Sequence, residues 1–239
     1  MKTLIIATIV LSCLPCFSQD KANDKVKERT CRIIFLERPK GAPEKAQLFD
    51  GTTSREIRFS TMNLSEEIKL PGDALVVGMT ADLVSDPENF PEGAPTVKIP
   101  AKVTDFYLVV VSDLKNKILP VRMLLVDASD GELDPGETLW INFSSYNIAG
   151  KLGKETLKIP AKAKVIAKAP LSASGYFKAI FLYQPNSKSK YLPVMKKSWW
   201  FDATSKNLGF IINTGGKLPK IFTLRDRPAP KSVKAKNVE

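Results

Sequence analysis

Short runs rich in β-branched and aromatic residues make up most of the sequence, and they constrain the fold more than any other feature. Within the run 56–60, Ile57 and Phe59 alternate with polar residues, as in a strand that buries one face. Helical periodicity is scarce, and prolines at 87, 91 and 95 prevent a long helix after residue 80. The runs predicted as strands are 32–36, 56–60, 74–79, 105–111, 121–126, 138–144, 164–167, 176–183, 198–201 and 208–213.

Turn sequences separate these runs. The clearest are Asp50-Gly51, Pro71-Gly72, Asp130-Gly131, Pro135-Gly136 and Gly215-Gly216. Many short strands joined by regular turns are typical of all-β sandwiches and barrels. We therefore predict an all-β fold built as an immunoglobulin-like β-sandwich, with two sandwiches in tandem. One large two-sheet sandwich is the alternative.

An internal similarity favours the tandem arrangement. The segment 96–102, Thr-Val-Lys-Ile-Pro-Ala-Lys, recurs as Thr-Leu-Lys-Ile-Pro-Ala-Lys at 156–162, and a β-rich run follows each copy. The spacing differs between the copies, so chance similarity is the alternative interpretation. The predicted organisation is a signal peptide (1–18), a polar segment (19–29), a first sandwich (30–117), a basic second sandwich (118–225) and a disordered basic tail (226–239).

Residues 1–18 have the pattern of a secretory signal peptide. Lys2 precedes an almost unbroken apolar stretch, and the small side chains of Cys16 and Ser18 occupy the −3 and −1 positions before Gln19. The stretch is too short for a stable membrane span, and a polar run follows it at once. We predict export to the periplasm, the cell envelope or the medium, and no integral membrane segment. A buried N-terminal helix and a lipoprotein acylated at Cys13 or Cys16 are the alternatives.

Cleavage at this site leaves Cys31 as the one cysteine of the mature chain. A single cysteine cannot form an internal disulfide, so the fold must depend on its apolar core. Cys31 precedes an apolar run, and free cysteine is commonly buried as a small hydrophobic side chain. We predict a buried structural thiol.

The chain contains no histidine, which excludes Ser-His-Asp and Cys-His catalysis and histidine-bearing zinc sites. The acidic segment 127–137 lacks the EF-hand spacing, and its glycines are better explained by turns. We predict no metal site, no cofactor and no catalytic residue. Pairs of carboxylates for glycoside hydrolysis stay open, because their separation in space cannot be read from a sequence.

Charge is distributed unequally between the two halves. Residues 20–120 contain 15 Lys+Arg and 16 Asp+Glu, whereas residues 121–239 contain 20 and 9. This excess of basic residues in the second half favours attraction to a polyanion. A solvated basic surface without a partner is the alternative. The predicted binding residues are Lys158, Lys162, Lys164, Lys168, Lys196 and Lys197.

Aromatic residues near these lysines offer a second binding chemistry. Trp199 and Trp200, with Trp140, Tyr176 and Tyr191, are able to stack on sugar rings, although aromatic side chains in strands are more often part of the core. Neighbouring residues of a strand point to opposite faces, so at most one of Trp199 and Trp200 is exposed.

Two resemblances accompany this pattern. The segments 35–39, 48–51 and 62–65 resemble exported bacterial proteins of unassigned function, a similarity that implies no activity. The segment 137–142 is similar to a strand of the periplasmic pilus chaperones, and 181–185 to their interdomain segment. Only 54 residues follow Pro185, too few for a second sandwich of that kind, so no residue roles are carried over.

The sequence therefore predicts an exported, non-enzymatic protein that binds an anionic envelope polymer, a glycan or an envelope protein, or contributes to envelope structure. Nucleic acid is not the expected partner. A strand-capturing protein like the pilus chaperones and a carboxylate-dependent glycoside hydrolase are the alternatives.

Overall fold

A computed structural model describes residues 28–213, 215–216 and 218–227. The predicted signal peptide, most of the polar segment after it and nearly all of the predicted tail lie outside the described residues. The described chain forms sixteen strands and one 3₁₀ turn, Pro87–Asn89. The structure thus confirms the prediction of an all-β fold.

The strands form two successive sets of eight, which are called the first and the second repeat below. The first repeat contains β1 (Arg29–Phe35), β2 (Lys45–Phe49), β3 (Ser54–Arg58), β4 (Ile68–Leu70), β5 (Leu75–Thr80), β6 (Thr96–Ile99), β7 (Asp105–Ser112) and β8 (Val121–Asp127). The second contains β9 (Thr138–Asn142), β10 (Asn147–Leu152), β11 (Glu155–Ile159), β12 (Lys164–Ala167), β13 (Gly175–Gln184), β14 (Leu192–Phe201), β15 (Lys206–Ile212) and β16 (Lys220–Asp226).

Both repeats pair their strands in the same way. The first gives sheet I, with the order β3-β2-β5-β6, and sheet II, with the order β4-β1-β7-β8. The second gives sheet III, with the order β12-β9-β15-β16, and sheet IV, with the order β11-β10-β13-β14. The first strand of each repeat pairs in parallel with the seventh, as β1 with β7 and β9 with β15. Every strand of one repeat therefore has a counterpart eight strands later.

The four sheets stack in the order I, II, III, IV, with an apolar core at each junction. Ile33 of β1 lies in the core between sheets I and II, whereas its neighbour Ile34 lies in the core between sheets II and III. On β9, Ile141 belongs to the core between sheets II and III, and Trp140 to the core between sheets III and IV. β7 and β15, central strands of sheets II and III, bury both faces over most of their length, which explains why they are largely apolar rather than alternating.

Two details of the prediction, the topology of the sandwich and the boundary between the sandwiches, are not confirmed by this arrangement. Immunoglobulin sandwiches pair their first and second strands in one sheet, whereas β1 and β2 lie in different sheets, so the structure does not confirm an immunoglobulin-like topology. The predicted boundary at 117/118 separates β7 from β8, yet these strands pair along their length. The loop before Pro120 is a hairpin connection, and strand pairing places the division between the repeats in 128–137.

The internal similarity at 96–102 and 156–162 joins strands that are not equivalent. Its first copy contains β6 and its second contains most of β11, whereas the counterpart of β6 is β14. The structural repeat is therefore real at the level of topology, while the matching sequence segments occupy different positions within it.

Polar contacts connect sheets II and III at one end of their shared core. The hydroxyl of Tyr107 on β7 donates a 2.8 Å hydrogen bond to Asp226 on β16, and Arg32 on β1 lies 3.4 Å from the same carboxylate. Lys206 on β15 pairs with Asp105 on β7 at 2.7 Å. Burial raises the pKa of Asp226 above its usual value, although Tyr107 and Arg32 act in the opposite direction. Burial, together with the nearby charge of Asp226, also raises the pKa of Tyr107.

The described part of the chain has no helix that is both long and apolar enough to cross a membrane.

Candidate binding face on the outer sheet of the second repeat

The structure separates the six predicted lysines. Lys158 on β11 and Lys196 on β14 lie on the outer face of sheet IV, away from the core. Lys197 is opposite the core residue Ala179 and therefore lies on the inward side of the edge strand, where it is exposed. The other three predicted lysines lie outside sheet IV.

Lys162 and Lys164 are two residues apart in the chain, but they do not share a face of a strand. Strand β12 begins only at Lys164, and Lys162 lies in the preceding turn with a left-handed φ of 59°. Their ammonium groups donate to the carbonyl oxygens of Phe143 and Leu125, respectively. Lys168 follows β12 and is exposed. These three lysines are therefore dispersed around sheet III.

Strand register brings two further lysines to the outer face of sheet IV. Ile180 of β13 is opposite Lys151 on β10 and opposite Lys196 on β14, so the three side chains form one row across the sheet. Lys178 is two residues before Ile180 and faces the same way. Lys158 is opposite Ala149, two residues from Lys151. The four lysines 151, 158, 178 and 196 with the aromatic pair Tyr176 and Trp200 are called the basic outer face below.

Among the described residues of sheet IV, no acidic side chain points to the basic outer face. The other outward residues of its four strands are uncharged, and all four lysines are exposed. Neighbouring strands lie about 4.8 Å apart and alternate residues of one strand about 7 Å apart, so each lysine has another within about 7–10 Å. That spacing is comparable to the screening length of about 8 Å at physiological ionic strength, so their positive potentials add.

An aromatic pair occupies one end of this face. Tyr176 on β13 and Trp200 on β14 are directly opposite each other, with ring centroids 4.9 Å apart at an interplanar angle of 75°. Tyr176 is 72% exposed and Trp200 is 43% exposed. The side chain of Trp199 points inward, and its ring lies nearly parallel to that of Trp140 in the core between sheets III and IV, with the ring centroids 6.1 Å apart. The prediction that at most one of the adjacent tryptophans is exposed is therefore confirmed.

The equivalent face of sheet I has different chemistry. Lys45 of β2 forms a 2.8 Å ion pair with Glu56 of β3, and Lys98 lies on β6, the counterpart of β14. Phe90, from the long connection between β5 and β6, stacks on Phe49 and covers that part of the sheet. The uninterrupted basic charge and the exposed aromatic pair thus distinguish the outer face of the second repeat from that of the first.

Two acidic side chains near the polar end of the core between sheets II and III bear on the hydrolase alternative. Asp105 and Asp226 contribute to the lining of one cavity of about 220 Å³. Asp105 accepts a hydrogen bond from Thr30 and pairs with Lys206, while Asp226 is held by Tyr107 and Arg32. The contacts of Asp105 with Lys206, and of Asp226 with Tyr107 and Arg32, connect the two repeats.

Cys31 lies in the core between sheets I and II with no exposed surface, which confirms the predicted buried thiol. Burial raises its pKa. The acidic segment 127–137 forms the connection between β8 and β9, where Asp127 accepts hydrogen bonds from Ser129 and Asp134 accepts one from the backbone of Gly131. These are turn contacts, as its glycines indicated.

Comparison with known protein families finds no family model that matches this chain, and no curated protein matches it. The resemblances to exported bacterial proteins and to pilus chaperones stay predictions.

Sequence reasoning missed Lys151 and Lys178 as members of the candidate site. Lys151 lies in a run with Ala149 and Gly150 that was not recognised as a strand, and Lys178 lies in an otherwise apolar one. The alternation Tyr176, Lys178, Ile180 along β13 was the signal that would have found Lys178.

Proposed function

We propose that this is an exported, non-enzymatic binding protein that holds anionic polymers of the cell envelope or its surroundings on the basic outer face of sheet IV. The observation that carries this proposal is the set of four exposed lysines on one face of sheet IV, to which no acidic residue of the four described strands points. Lysine ammonium groups act as point charges with little geometric demand, so the binding is broad in specificity and sensitive to salt.

Affinity chromatography of the full chain on immobilised heparin tests the proposal. The test variant is K151Q/K158Q/K178Q/K196Q. The matched control, K162Q/K164Q/K168Q/K197Q, removes the same charge from the same half of the chain but leaves the basic outer face intact. We expect the test variant to elute at much lower salt than the wild type, and the control to elute close to the wild type.

Equal losses in the two variants would overturn the assignment to sheet IV, because net charge alone would then explain retention. Elution of the wild type near physiological salt, unchanged in both variants, would overturn polymer binding altogether. Thermal unfolding of each variant shows whether it is folded.

A second candidate function, capture of an extended strand of an envelope protein, is supported by β14. This ten-residue strand is the edge of sheet IV and pairs only with β13 within the described residues. An unpaired edge offers main-chain donors and acceptors to an added strand. Pull-down from envelope extract at high salt, with S198P placed in β14 to remove a main-chain donor, tests it. A single protein partner lost in that variant would support strand capture, and recovery of polysaccharide alone would contradict it.

A further inference from the structure

We infer that the polymer held by the basic outer face is an acidic polysaccharide, with one sugar ring stacked on the Tyr176–Trp200 pair and acidic groups of the following sugars at the lysines. This inference rests on the proposed function and names its ligand class. The supporting observation is that two large aromatic side chains, Tyr176 and Trp200, are exposed and do not belong to any of the three cores.

The faces of exposed Tyr and Trp rings are apolar and carry a partial negative charge. The C–H groups on one face of a sugar ring pack against such a surface. Tyr176 is exposed over most of its surface, and Trp200 supports it edge to face. The two strands hold the pair in register, so the surface is already in place before a ligand binds. A preformed aromatic surface costs little conformational entropy on binding.

The lysines follow the aromatic pair at regular steps along the sheet. Lys178 is two residues after Tyr176 on β13, about 7 Å away. The row formed by Lys151 and Lys196 lies about 7 Å further along the same strand. Lys158 extends the series by one more step. A chain lying along β13 therefore meets one aromatic surface and then positive charge over about 20 Å. A polymer with both rings and repeated negative charges matches this order.

The same face fits a nucleic acid less well. Single-strand binding surfaces place successive aromatic side chains along the groove so that each base stacks, whereas this face has one aromatic pair at one end. Its four cations are all lysines, and arginine is the side chain that recognises phosphate with two parallel hydrogen bonds.

The experiment compares the full chain with two polyanions that differ in their rings. Polygalacturonate carries carboxylates on sugar rings, and polyglutamate carries carboxylates without rings. Binding is measured by titration calorimetry at several salt concentrations, for the wild type, Y176A/W200A and the conservative variant W200F. The lysine variant K151Q/K158Q/K178Q/K196Q provides the charge control.

We expect the wild type to bind polygalacturonate at least about tenfold more tightly than polyglutamate, because polygalacturonate alone offers sugar rings to the aromatic pair. Y176A/W200A should remove this preference without changing how the logarithm of the affinity varies with the logarithm of salt concentration. The lysine variant should instead make that dependence less steep. W200F should retain most of the preference.

Equal affinities for the two polymers, unaffected by Y176A/W200A, would overturn the polysaccharide inference and leave the proposed function standing. Absence of binding to either polymer would overturn both. Tighter binding of single-stranded oligo-dT than of polygalacturonate, lost in Y176A/W200A, would assign the face to nucleic acid. Tighter binding of vesicles containing anionic lipid would assign it to a membrane surface.

Discussion

Tyr107 and Asp226 are 119 residues apart in the chain, and the 2.8 Å hydrogen bond between them joins the two repeats. The bond lies at the polar end of the core between sheets II and III, where Arg32 also contacts the carboxylate. Removing the hydroxyl with Y107F leaves one oxygen of a largely buried carboxylate without its donor. We expect a loss of about 1–3 kcal/mol in the free energy of unfolding, measured by urea denaturation. Y176F, on the exposed face, is the control and should change stability little; equal effects of the two substitutions would contradict this account.

The raised pKa of Asp226 predicts a definite direction of pH dependence. The folded state binds the proton of this carboxyl more tightly than the unfolded state, whose pKa is near 3.8. The associated stability is therefore fully present below pH 3.8 and is lost as pH rises through the folded pKa. Arg32, Lys206, Asp105 and Tyr107 are the charged or titratable groups that act on this carboxyl.

In D226N the titrating group is absent, so the unfolding free energy of the wild type minus that of D226N isolates its contribution. We expect this difference to become less favourable to the wild type as pH rises from 3 to 7, measured by denaturation at each pH. A difference that grows with pH would show that the pKa is lowered instead.

Gly209 is required by the packing of Trp140. A Cβ atom at residue 209 would lie 2.3 Å from Cε3 of the buried indole, which the core between sheets III and IV holds on several sides. We expect G209A to cost about 1–3 kcal/mol or more. G175A is the control, because the nearest side-chain atom to a Cβ there is Cδ1 of Leu171 at 3.4 Å, an ordinary van der Waals contact. Thermal unfolding should show the larger loss in G209A, and the reverse order would contradict this packing.

The thiol of Cys31 should be unreactive in the folded protein. It has no exposed surface, and burial raises its pKa, so little thiolate forms. In a C13S/C16S chain, where Cys31 is the remaining thiol, we expect labelling by a maleimide only after denaturation. Adding S198C on the outer face of sheet IV gives a control that labels at once. Rapid labelling of Cys31 without denaturant would place it near solvent.

The sequence predicted the fold class because strand periodicity and turn residues are local signals. It did not predict the stacking of four sheets. The run at β7 is apolar on both faces, which indicates burial on both sides, but nothing local shows that the second partner is sheet III of the other repeat. The shared topology was also obscured, because the most similar segments, in β6 and β11, occupy different positions in their repeats.

The candidate site was predicted only in part for a similar reason. Charge counts located the basic half, and Lys158 and Lys196 belong to the basic outer face. Which lysines lie together depends on the register between β10, β13 and β14, and a bulge in β14 next to Leu182 shifts that register. Proximity along the chain grouped Lys162 and Lys164 with Lys158, whereas cross-strand pairing groups Lys151 and Lys178 with it.

Backbone amide chemical shifts of the full chain, recorded during titration with oligogalacturonate, test the central claim most directly. The account predicts that the largest changes lie in β10, β11, β13 and β14, centred on Lys178 and Trp200, and that β2, β3, β5 and β6 of the equivalent sheet I are unaffected. Changes of equal size on sheet I, or changes confined to the cavity beside Asp105 and Asp226, would contradict it.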